Sequence, residues 1–515
     1  MRQSTRLIVN SLSMFGRMAI TVGISLVVTR LLLQTLGKVD FGLILALGAT
    51  GAMLQFVTSA LSSGMQRQLA YELARDGKDQ LIRVFSTGWV VFLVLGTGLW
   101  LVGVALTPVI MHGLTIPAER AAASWWVYQI SLLSLVLTVT ATPYRALIMA
   151  HQHLTINAVA DGITSLMRLA AVLLLLRTPW DLMVSFVAYQ LAGLAAVRWG
   201  VNGYCLWRYE ESWPRLKHFD RTQLKEISSI ATWSFLSEMA WRMRMQGGIL
   251  LLNIFFGPVV NAAYGIAVQI VGFVIQLMGA IRMAVLPAIV GAHVKGNQQN
   301  VHRLALVAGK YTLLLLSLLF VPILFELEQI LHLWLGDYPP DTAILTRLSV
   351  VWALGSAMVL GYRLAQFATG NLGWYTRATL LVSAGLLIVS GTGFYYGLPP
   401  WFLPATACVG AVVLIEIAVR RIGAEIELPA AQWIREALLP TLGVLVPATA
   451  GAMLVRWSFA ESLWRLVAVT AAYTIIAVPL IWWVALAAWE RQRFLGIASS
   501  AMSVLQRATN ARPEA

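Results

Sequence analysis

The sequence predicts an all-α polytopic membrane protein of about fourteen transmembrane helices, in two pseudo-symmetric six-helix lobes followed by two C-terminal helices. Three observations support this fold class. Hydrophobic residues make up 59% of the 515 residues and charged residues only 12%, and the mean hydropathy is +0.75, which excludes an ordinary soluble protein. Apolar runs long enough to cross a bilayer recur along the whole chain. Basic residues are concentrated in every second connection between these runs.

The apolar runs divide the chain into lobes. The N-terminal lobe is predicted over 1–207, with spans at 7–33, 39–66, 82–111, 122–150, 154–177 and 181–206. A basic cytoplasmic connection, 208–225, leads to the C-terminal lobe over 226–428, with spans at 226–256, 259–291, 302–333, 341–369, 373–396 and 399–422. Two further helices near 433–457 and 462–489 lie within 429–490. The remaining residues, 491–515, are predicted to be a cytoplasmic, amphipathic tail.

The distribution of lysine and arginine predicts that both termini are cytoplasmic. With the N-terminus inside, about 23 basic residues fall in cytoplasmic connections and about six in outer ones, as the positive-inside rule requires. Orientation in the membrane therefore explains the net charge of +14, and no nucleic-acid partner is expected. The two cysteines, Cys205 and Cys408, both lie in apolar spans, so no disulfide framework is predicted.

The seventh span carries charged residues at membrane depth. Glu238, Arg242 and Arg244 lie in the middle of Ile227–Phe256, where each charge costs roughly 2.5–3.5 kcal/mol on insertion scales. Glu238 and Arg242 are four residues apart and are expected to form an ion pair on one helix face. Arg244 points about 200° away from Arg242 and therefore needs a second polar neighbour. The pattern fits either an ion pair that locks helices together or a cationic, water-filled site.

The spans contain more arginines than carboxylates. The arginines are Arg17, Arg168, Arg198, Arg242, Arg244, Arg282, Arg347 and Arg363, and the clear carboxylates are Asp161, Glu238 and Glu416. Arg198 and Arg347 lie close enough to span ends to reach the membrane interface. Arg17 shares a polar helix face with nearby hydroxyl residues, and Arg168 shares one with Asp161, which it would neutralise. The excess of positive charge predicts a cavity that holds an anion.

A weak internal repeat supports the two-lobe organisation. The segment LGKVDFG, Leu36–Gly42, joins spans one and two, and FGPVVNAAYG, Phe256–Gly265, joins spans seven and eight, about 220 residues further on. Because six spans separate the two copies, both enter the membrane with the same orientation, which predicts a central site and alternating access. Chance similarity between two glycine-aromatic turns is the alternative.

Four stretches of the sequence carry a family resemblance. They are LGKVDFG after span one, SSGMQRQLA at the end of span two, PYRALIMAHQHLTINAV between spans four and five, and YGIAVQIVGFVIQLMGAIRMAVLPAIVGAHVKGN across span eight. In this order and spacing the chain resembles the polysaccharide (oligosaccharide) flippase family, Wzx-type, of the multidrug/oligosaccharidyl-lipid/polysaccharide exporter superfamily. The resemblance implies a location in the bacterial inner membrane and a central cavity lined mainly by spans one, two, seven and eight.

The resemblance also implies a substrate. This is a polyprenyl-diphosphate-linked oligosaccharide, such as an O-antigen, capsule or exopolysaccharide repeat unit, which moves from the cytoplasmic to the outer leaflet. Arg17, Arg242, Arg244 and Arg282 fall on the implied cavity helices, so the resemblance assigns them to diphosphate or anionic-sugar contacts. Arg168 and Arg363 are further candidates for the same cationic cavity. The other expected partners are membrane lipids and membrane proteins of polysaccharide assembly.

Energy coupling and cofactors follow from the remaining residues. Glu238 and Asp161 are the candidates for coupling to a proton or sodium gradient, because a carboxylate at membrane depth can exchange an arginine partner for a cation. No phosphate-binding glycine loop of the GxxxxGK type is present in the sequence, so no cofactor and no direct use of ATP are expected. His151 and His153 are expected to be surface residues rather than metal ligands.

Three other functions compete with a flippase for an oligosaccharide. A membrane-embedded polysaccharide polymerase or ligase would be an enzyme, but such enzymes usually have a sizeable outer loop, and the longest outer connection, Glu326–Asp341, is short. The sequence also has no nucleophile elbow or zinc-type cluster, so an enzyme is not expected. A flippase for the cell-wall precursor and an exporter of amphipathic small molecules remain alternatives, although an exporter of cationic drugs should bury acids.

Overall fold

The computed structural model describes residues 2–492 apart from 76 and 372, with side chains described outside 2–19, 56, 60, 154 and 227–234. These residues form twenty α-helices and no β-strand. The first ten are α1 Arg2–Leu54, α2 Phe56–Ala74, α3 Lys78–Ala105, α4 Thr107–Gly113, α5 Ala121–Thr140, α6 Thr142–Ala150, α7 Leu154–Leu175, α8 Leu182–Arg208, α9 Arg221–Arg242 and α10 Gly248–Val294. The others are α11 Gln298–Phe325, α12 Leu327–Leu335, α13 Thr342–Ala357, α14 Leu360–Thr369, α15 Gly373–Tyr395, α16 Phe402–Ile417, α17 Gly423–Glu425, α18 Ala430–Trp433, α19 Leu439–Ser458 and α20 Leu463–Leu480.

Eleven helices of the described residues are long and apolar enough to cross a membrane, or twelve if α13 and α14, bent by 46°, form one span. The predicted fold class, an all-α polytopic membrane protein, is therefore confirmed. The count of fourteen is not reproduced and stays a prediction, because two of the eleven helices each contain parts of two predicted spans. Ile20–Leu54 joins spans one and two, and Phe235–Val294 joins spans seven and eight.

A glycine kink lies within each of these two long helices. Gly37 has φ 78° and ψ 175°, and Gly257 has φ 78° and ψ −174°. A positive φ of this kind favours glycine, because a Cβ atom would be strained there. The two kinks occupy equivalent positions of the two copies of the predicted repeat. The backbone thus has the same unusual conformation at both places where the sequence repeats.

The helices beside the two kinks are tied together. The Asn261 side chain donates to the Gly42 carbonyl over 3.1 Å, and a methyl group on Gly42 would overlap the Pro258 backbone. Arg120 binds Asp40 and Asp181 at once, and its Nη1 lies 2.8 Å from Asp181. These contacts join the kinked part of α1 to α10 and to the segments that precede α5 and α8.

The segment after α11 is fastened to the same part of α1. The Lys38 ammonium lies 2.7 Å from Asp337, and the Trp334 indole donates to the Leu26 carbonyl over 2.9 Å. The Lys38 contact is charge-assisted and therefore stronger than a neutral hydrogen bond such as that of Trp334. Together with the Arg120 contacts they form what we call the Gly37 end: Lys38, Asp40, Arg120, Asp181 and Asp337.

The chain forms two compact units. The first consists of Met1–Phe273, Leu331–Ser349 and Leu372–Gly410, and the second of Val274–Ile330, Val350–Asn371 and Ala411–Ala515. In the first unit, the side chains of Phe85 and Phe92 are fully buried in one apolar cluster, and that of Leu252 is fully buried in another. In the second unit, Val469 and Tyr473 of α20 pack against α11 and α19. These units follow contacts rather than chain order, so the predicted lobe and helix limits remain a prediction. The predicted tail lies outside the described residues from 493 onward.

Candidate functional site

Glu238 and Arg242 form the predicted ion pair in the first unit. The Arg242 Nε lies 2.8 Å from Glu238 Oε1, so the four-residue spacing has the expected effect. Arg242 Nη1 also donates to the Ala52 carbonyl over 3.3 Å. That carbonyl lies where the helical run from α1 to α2 is interrupted at Gln55, and it also accepts from the Gln55 backbone amide over 3.3 Å. The side chains of Arg242 and Glu238 remain 22% and 28% exposed, so the pair is accessible.

Arg244 lies in a π-helical turn, Met243–Gly247, that joins α9 to α10. Such turns are rare in proteins overall, but those that occur are often found at functional sites. Its Nη2 donates to the buried Ser383 hydroxyl of α15 over 3.0 Å, and that hydroxyl in turn donates to the Thr379 carbonyl. The prediction that Arg244 needs a second polar neighbour, distinct from that of Arg242, is confirmed.

Three other predicted site residues, Arg168, Arg282 and Arg363, are exposed. Within the described part of the chain, none of these guanidinium groups has a hydrogen bond or an ion pair. Arg282 lies about 18 Å from the last residue of α10, whereas Arg168 lies about 10 Å from the last residue of α7. An arginine as far from a helix end as Arg282 normally faces a bundle interior or a water-filled cavity. Arg168 belongs to the first unit, and Arg282 and Arg363 belong to the second.

The side chain of Arg17 lies outside the described residues. Asp161 pairs with Arg145, 3.2 Å away, and not with Arg168 as its neutralising partner. The sequence predicts that Arg198 reaches the interface, but it is only 7% exposed, and the neighbouring Val197 and Val201 of α8 belong to a buried cluster. The expectation for Arg198 is therefore wrong.

Sequence reasoning missed two buried ion pairs in the second unit. The Lys310 ammonium lies 2.9 Å from Glu490, and both side chains are almost fully buried. Arg465 donates from Nε and Nη2 to Glu326, whose side chain is fully buried. In the sequence both basic partners lie near the ends of predicted spans, where lysine and arginine indicate orientation in the membrane. Nothing local could have revealed the pairs, because each joins residues more than a hundred positions apart.

His151 and His153 bind side chains of the segment after α8. His151 Nε2 lies 2.7 Å from Glu211, and His153 Nδ1 lies 2.7 Å from the Tyr209 hydroxyl. Burial alone would raise the pKa of Glu211, but the hydrogen bond and charge of His151 outweigh it and lower that pKa from its ordinary 4.5. Among the described residues no group of three or more His, Cys, Asp or Glu side chains could hold a metal ion.

A sequence model of the polysaccharide biosynthesis protein family matches residues 7–293, more than half of the chain. No curated protein matches the sequence. The solved structure of the lipid II flippase MurJ in an inward closed conformation is similar, with a TM-score of 0.71 at 12% identity over 91% of this chain and 98% of that chain.

Two transporters of the MOP superfamily are similar as well. A multidrug resistance MATE family transporter in an inward-facing conformation has a TM-score of 0.63 at 14% identity, over 80% of this chain and 99% of that one. A transporter from Pyrococcus furiosus, described as having a binding pocket of reversed polarity that suggests a different function, has a TM-score of 0.52 at 15% identity, over 80% and 96% of the two chains. At these identities the likeness establishes the fold.

Proposed function

Because the chain belongs to the polysaccharide biosynthesis protein family, we propose that it is a flippase for a polyprenyl-diphosphate-linked oligosaccharide. The cargo moves from the cytoplasmic to the outer leaflet of the bacterial inner membrane, in which both termini of the protein are cytoplasmic. One observation carries the proposal: Arg282, about 18 Å from the nearer end of a helix long and apolar enough to cross a membrane, is exposed and, like the exposed Arg168, has no ion pair to any described residue. Positive charge so placed is costly unless an anion or water accompanies it.

The chemistry of the cargo fits these side chains. The oligosaccharide and diphosphate cannot cross hydrocarbon, whereas the polyprenyl tail need not leave it. Guanidinium groups bind phosphate oxygens in a bidentate manner and can replace the water around them. Arg17, Arg242, Arg244, Arg282, Arg168 and Arg363 are the proposed contacts. In the first unit, a groove of about 350 Å³ between α1 and α7, lined mostly by apolar residues such as Ile20, Ile24 and Leu166, offers a suitable surface for the tail.

Transport requires the site to open to each leaflet in turn. By the positive-inside rule the Gly37 end faces the outer side, and its ion pairs must break for the cargo to leave there. Glu238 is the proposed coupling group, since protonation or sodium binding would release Arg242 to the diphosphate. Asp161, which is held by Arg145, is the second candidate. No cofactor takes part in this scheme, and the protein performs no covalent step. Other membrane proteins of polysaccharide assembly would supply and receive the cargo.

Reconstitution in liposomes tests the proposal. Purified protein is inserted together with a fluorescent polyprenyl-diphosphate glycan, and its transfer between leaflets is scored by quenching from outside. Combined replacement of Arg17, Arg242 and Arg282 by glutamine is expected to abolish transfer with expression unchanged. Arg177, an exposed arginine two residues after the end of α7, offers the matched control, and Arg177→Gln should transfer normally. Transfer that survives the triple replacement would refute the cationic site, and elongation or ligation of the glycan would show an enzyme instead.

A flippase for the cell-wall precursor is the second candidate. The similarity to the lipid II flippase over 91% of this chain favours it, and its cargo also joins a diphosphate to a lipid tail, so the same arginines would serve. Competition in the same liposomes separates the two. An excess of unlabelled cell-wall precursor should leave transfer of the oligosaccharide unchanged, whereas inhibition by that precursor would favour this second candidate.

A further inference from the structure

The first unit holds a second charged cluster, formed by three consecutive helices. Arg145 lies on α6, Asp161 on α7 and Arg198 on α8. Arg145 Nη2 lies 3.2 Å from Asp161 Oδ1 and 3.3 Å from Oδ2, so the carboxylate is held by one guanidinium nitrogen. The side chains of Arg145 and Asp161 are 33% and 53% exposed. This ion pair is therefore accessible from outside the helix bundle.

Arg198, on the adjoining helix α8, is more than nine-tenths buried. In the described part of the chain, no group accepts a hydrogen bond from its buried Nε and Nη1 atoms. The charges of Arg145 and Asp161 both act on its guanidinium group. A buried cation without an acceptor is costly, and Asp161 is the neighbouring carboxylate that can satisfy it.

We propose that Arg145 binds a phosphate-class anion. Before this anion arrives, the Asp161 carboxylate occupies Arg145 as an internal anion. When the phosphate-class anion binds, Asp161 moves to Arg198. An incoming phosphate group competes with the carboxylate for the same guanidinium. If Asp161 had no other partner, it would remain beside the ligand and repel it. Arg198 supplies that partner, because its buried donors are available in the present arrangement. Arg198 is thus a positioning residue, and Arg145 the ligand contact.

The position of the cluster indicates where the anion comes from. Arg145 lies about 8 Å from the end of α6 and Asp161 about 10 Å from the start of α7, and the proposed orientation places these helix ends in the cytoplasmic leaflet. Phosphate groups at that depth belong either to phospholipid headgroups or to a lipid diphosphate. If the phosphate belongs to a lipid diphosphate, the cluster is the first site at which the cargo binds. Only this assignment rests on the proposed function.

Binding of inorganic pyrophosphate to the full-length protein in phosphatidylcholine nanodiscs tests the inference. The quantity measured is the part of the calorimetric binding heat that is present in the wild-type protein and lost in Arg145→Gln. Arg198→Met should weaken this binding about tenfold, because Asp161 then has nowhere to move, and a buried arginine replaced by an apolar chain of similar length is expected to leave the fold intact. Asp161→Asn should strengthen binding about tenfold, since the internal competitor is gone. Arg177→Gln is the control and should bind as the wild type does.

The double variant Asp161→Asn/Arg198→Met decides between positioning and a merely structural role. It should bind pyrophosphate as tightly as Asp161→Asn alone, because without the Asp161 carboxylate there is no group that has to move from Arg145 to Arg198. Equal weakening by Arg198→Met in both backgrounds would overturn the proposal, as would an Arg145→Gln variant that binds like the wild type. Neither result involves leaflet transfer, so the proposed function would still be judged by the Arg242 and Arg282 replacements.

Phosphatidylglycerol in the nanodiscs distinguishes the two sources. Competition between this anionic lipid and pyrophosphate in wild-type protein, lost in Arg145→Gln, would assign the site to a phospholipid headgroup. Pyrophosphate binding that is unchanged by the anionic lipid would exclude a phospholipid headgroup, which leaves a lipid diphosphate as the source.

Discussion

Replacing Lys310 by methionine is expected to destabilise the protein by roughly 3–5 kcal/mol, the usual cost of removing one partner from a buried ion pair. The Lys310 and Glu490 side chains are only 5% and 3% exposed, and the ammonium lies 2.9 Å and 3.1 Å from the carboxylate oxygens. Without Lys310, the carboxylate keeps the Ala487 backbone amide as a donor, 2.7 Å away. The Ala485 carbonyl loses its donor altogether in the described structure.

Equilibrium unfolding in mixed detergent micelles measures this loss. The double variant Lys310→Met/Glu490→Leu removes both charges, so it should regain at least half of the lost stability, because an apolar pair in place of a buried ion pair is often neutral. The part not regained is about 1 kcal/mol for each backbone group left without its partner. A single variant that loses less than about 1 kcal/mol, or a double variant no more stable than the single one, would refute this reasoning.

Three further predictions concern other contacts. Gly42→Ala should lower the thermal unfolding temperature, because its methyl group meets backbone, whereas Gly48→Ala on the same helix, with open space around it, should not; equal behaviour would contradict the close helix approach. Arg120→Gln releases two carboxylates at the Gly37 end and should destabilise the contacts there by roughly 1–3 kcal/mol. An engineered cysteine at the Gly37 end should then be labelled faster by an impermeant thiol reagent. Unchanged labelling would count against this prediction. The lowered pKa of Glu211 means that its contact with His151 contributes fully above the ordinary carboxyl pKa of 4.5 and is lost as pH falls through the lowered value. The stability difference between wild type and Glu211→Gln should therefore shrink between pH 7 and pH 3, and a difference independent of pH would be inconsistent with that contact.

Features of the fold that depend on local sequence were predictable. Apolar runs of bilayer length identified the helices, since backbone groups in lipid must be satisfied within the segment. The repeat pointed to Gly37 and Gly257, whose identical backbone conformation requires glycine. The number of separate helices was not predictable, because a kinked helix and two helices joined by a turn have the same hydropathy.

The site was predictable only where partners are near in sequence. The pairing of Glu238 with Arg242 follows from a spacing of four residues on a helix. The partner of Arg244, Ser383, lies 139 positions away, so the sequence required a polar neighbour without identifying it. The prediction that Arg198 reaches the interface was wrong for a related reason. Its distance from a helix end suggested an interfacial side chain, but burial depends on how α6, α7 and α8 pack.

The central claim is that arginines at membrane depth bind an acidic headgroup. The most direct measurement compares the affinity of the purified protein for a polyprenyl diphosphate with that for the polyprenyl alcohol of the same length. Wild-type protein is predicted to bind the diphosphate at least about tenfold more tightly, in line with charge-assisted hydrogen bonds, and Arg242→Gln/Arg282→Gln should abolish the difference. Equal affinity of the wild-type protein for the two lipids would contradict the account.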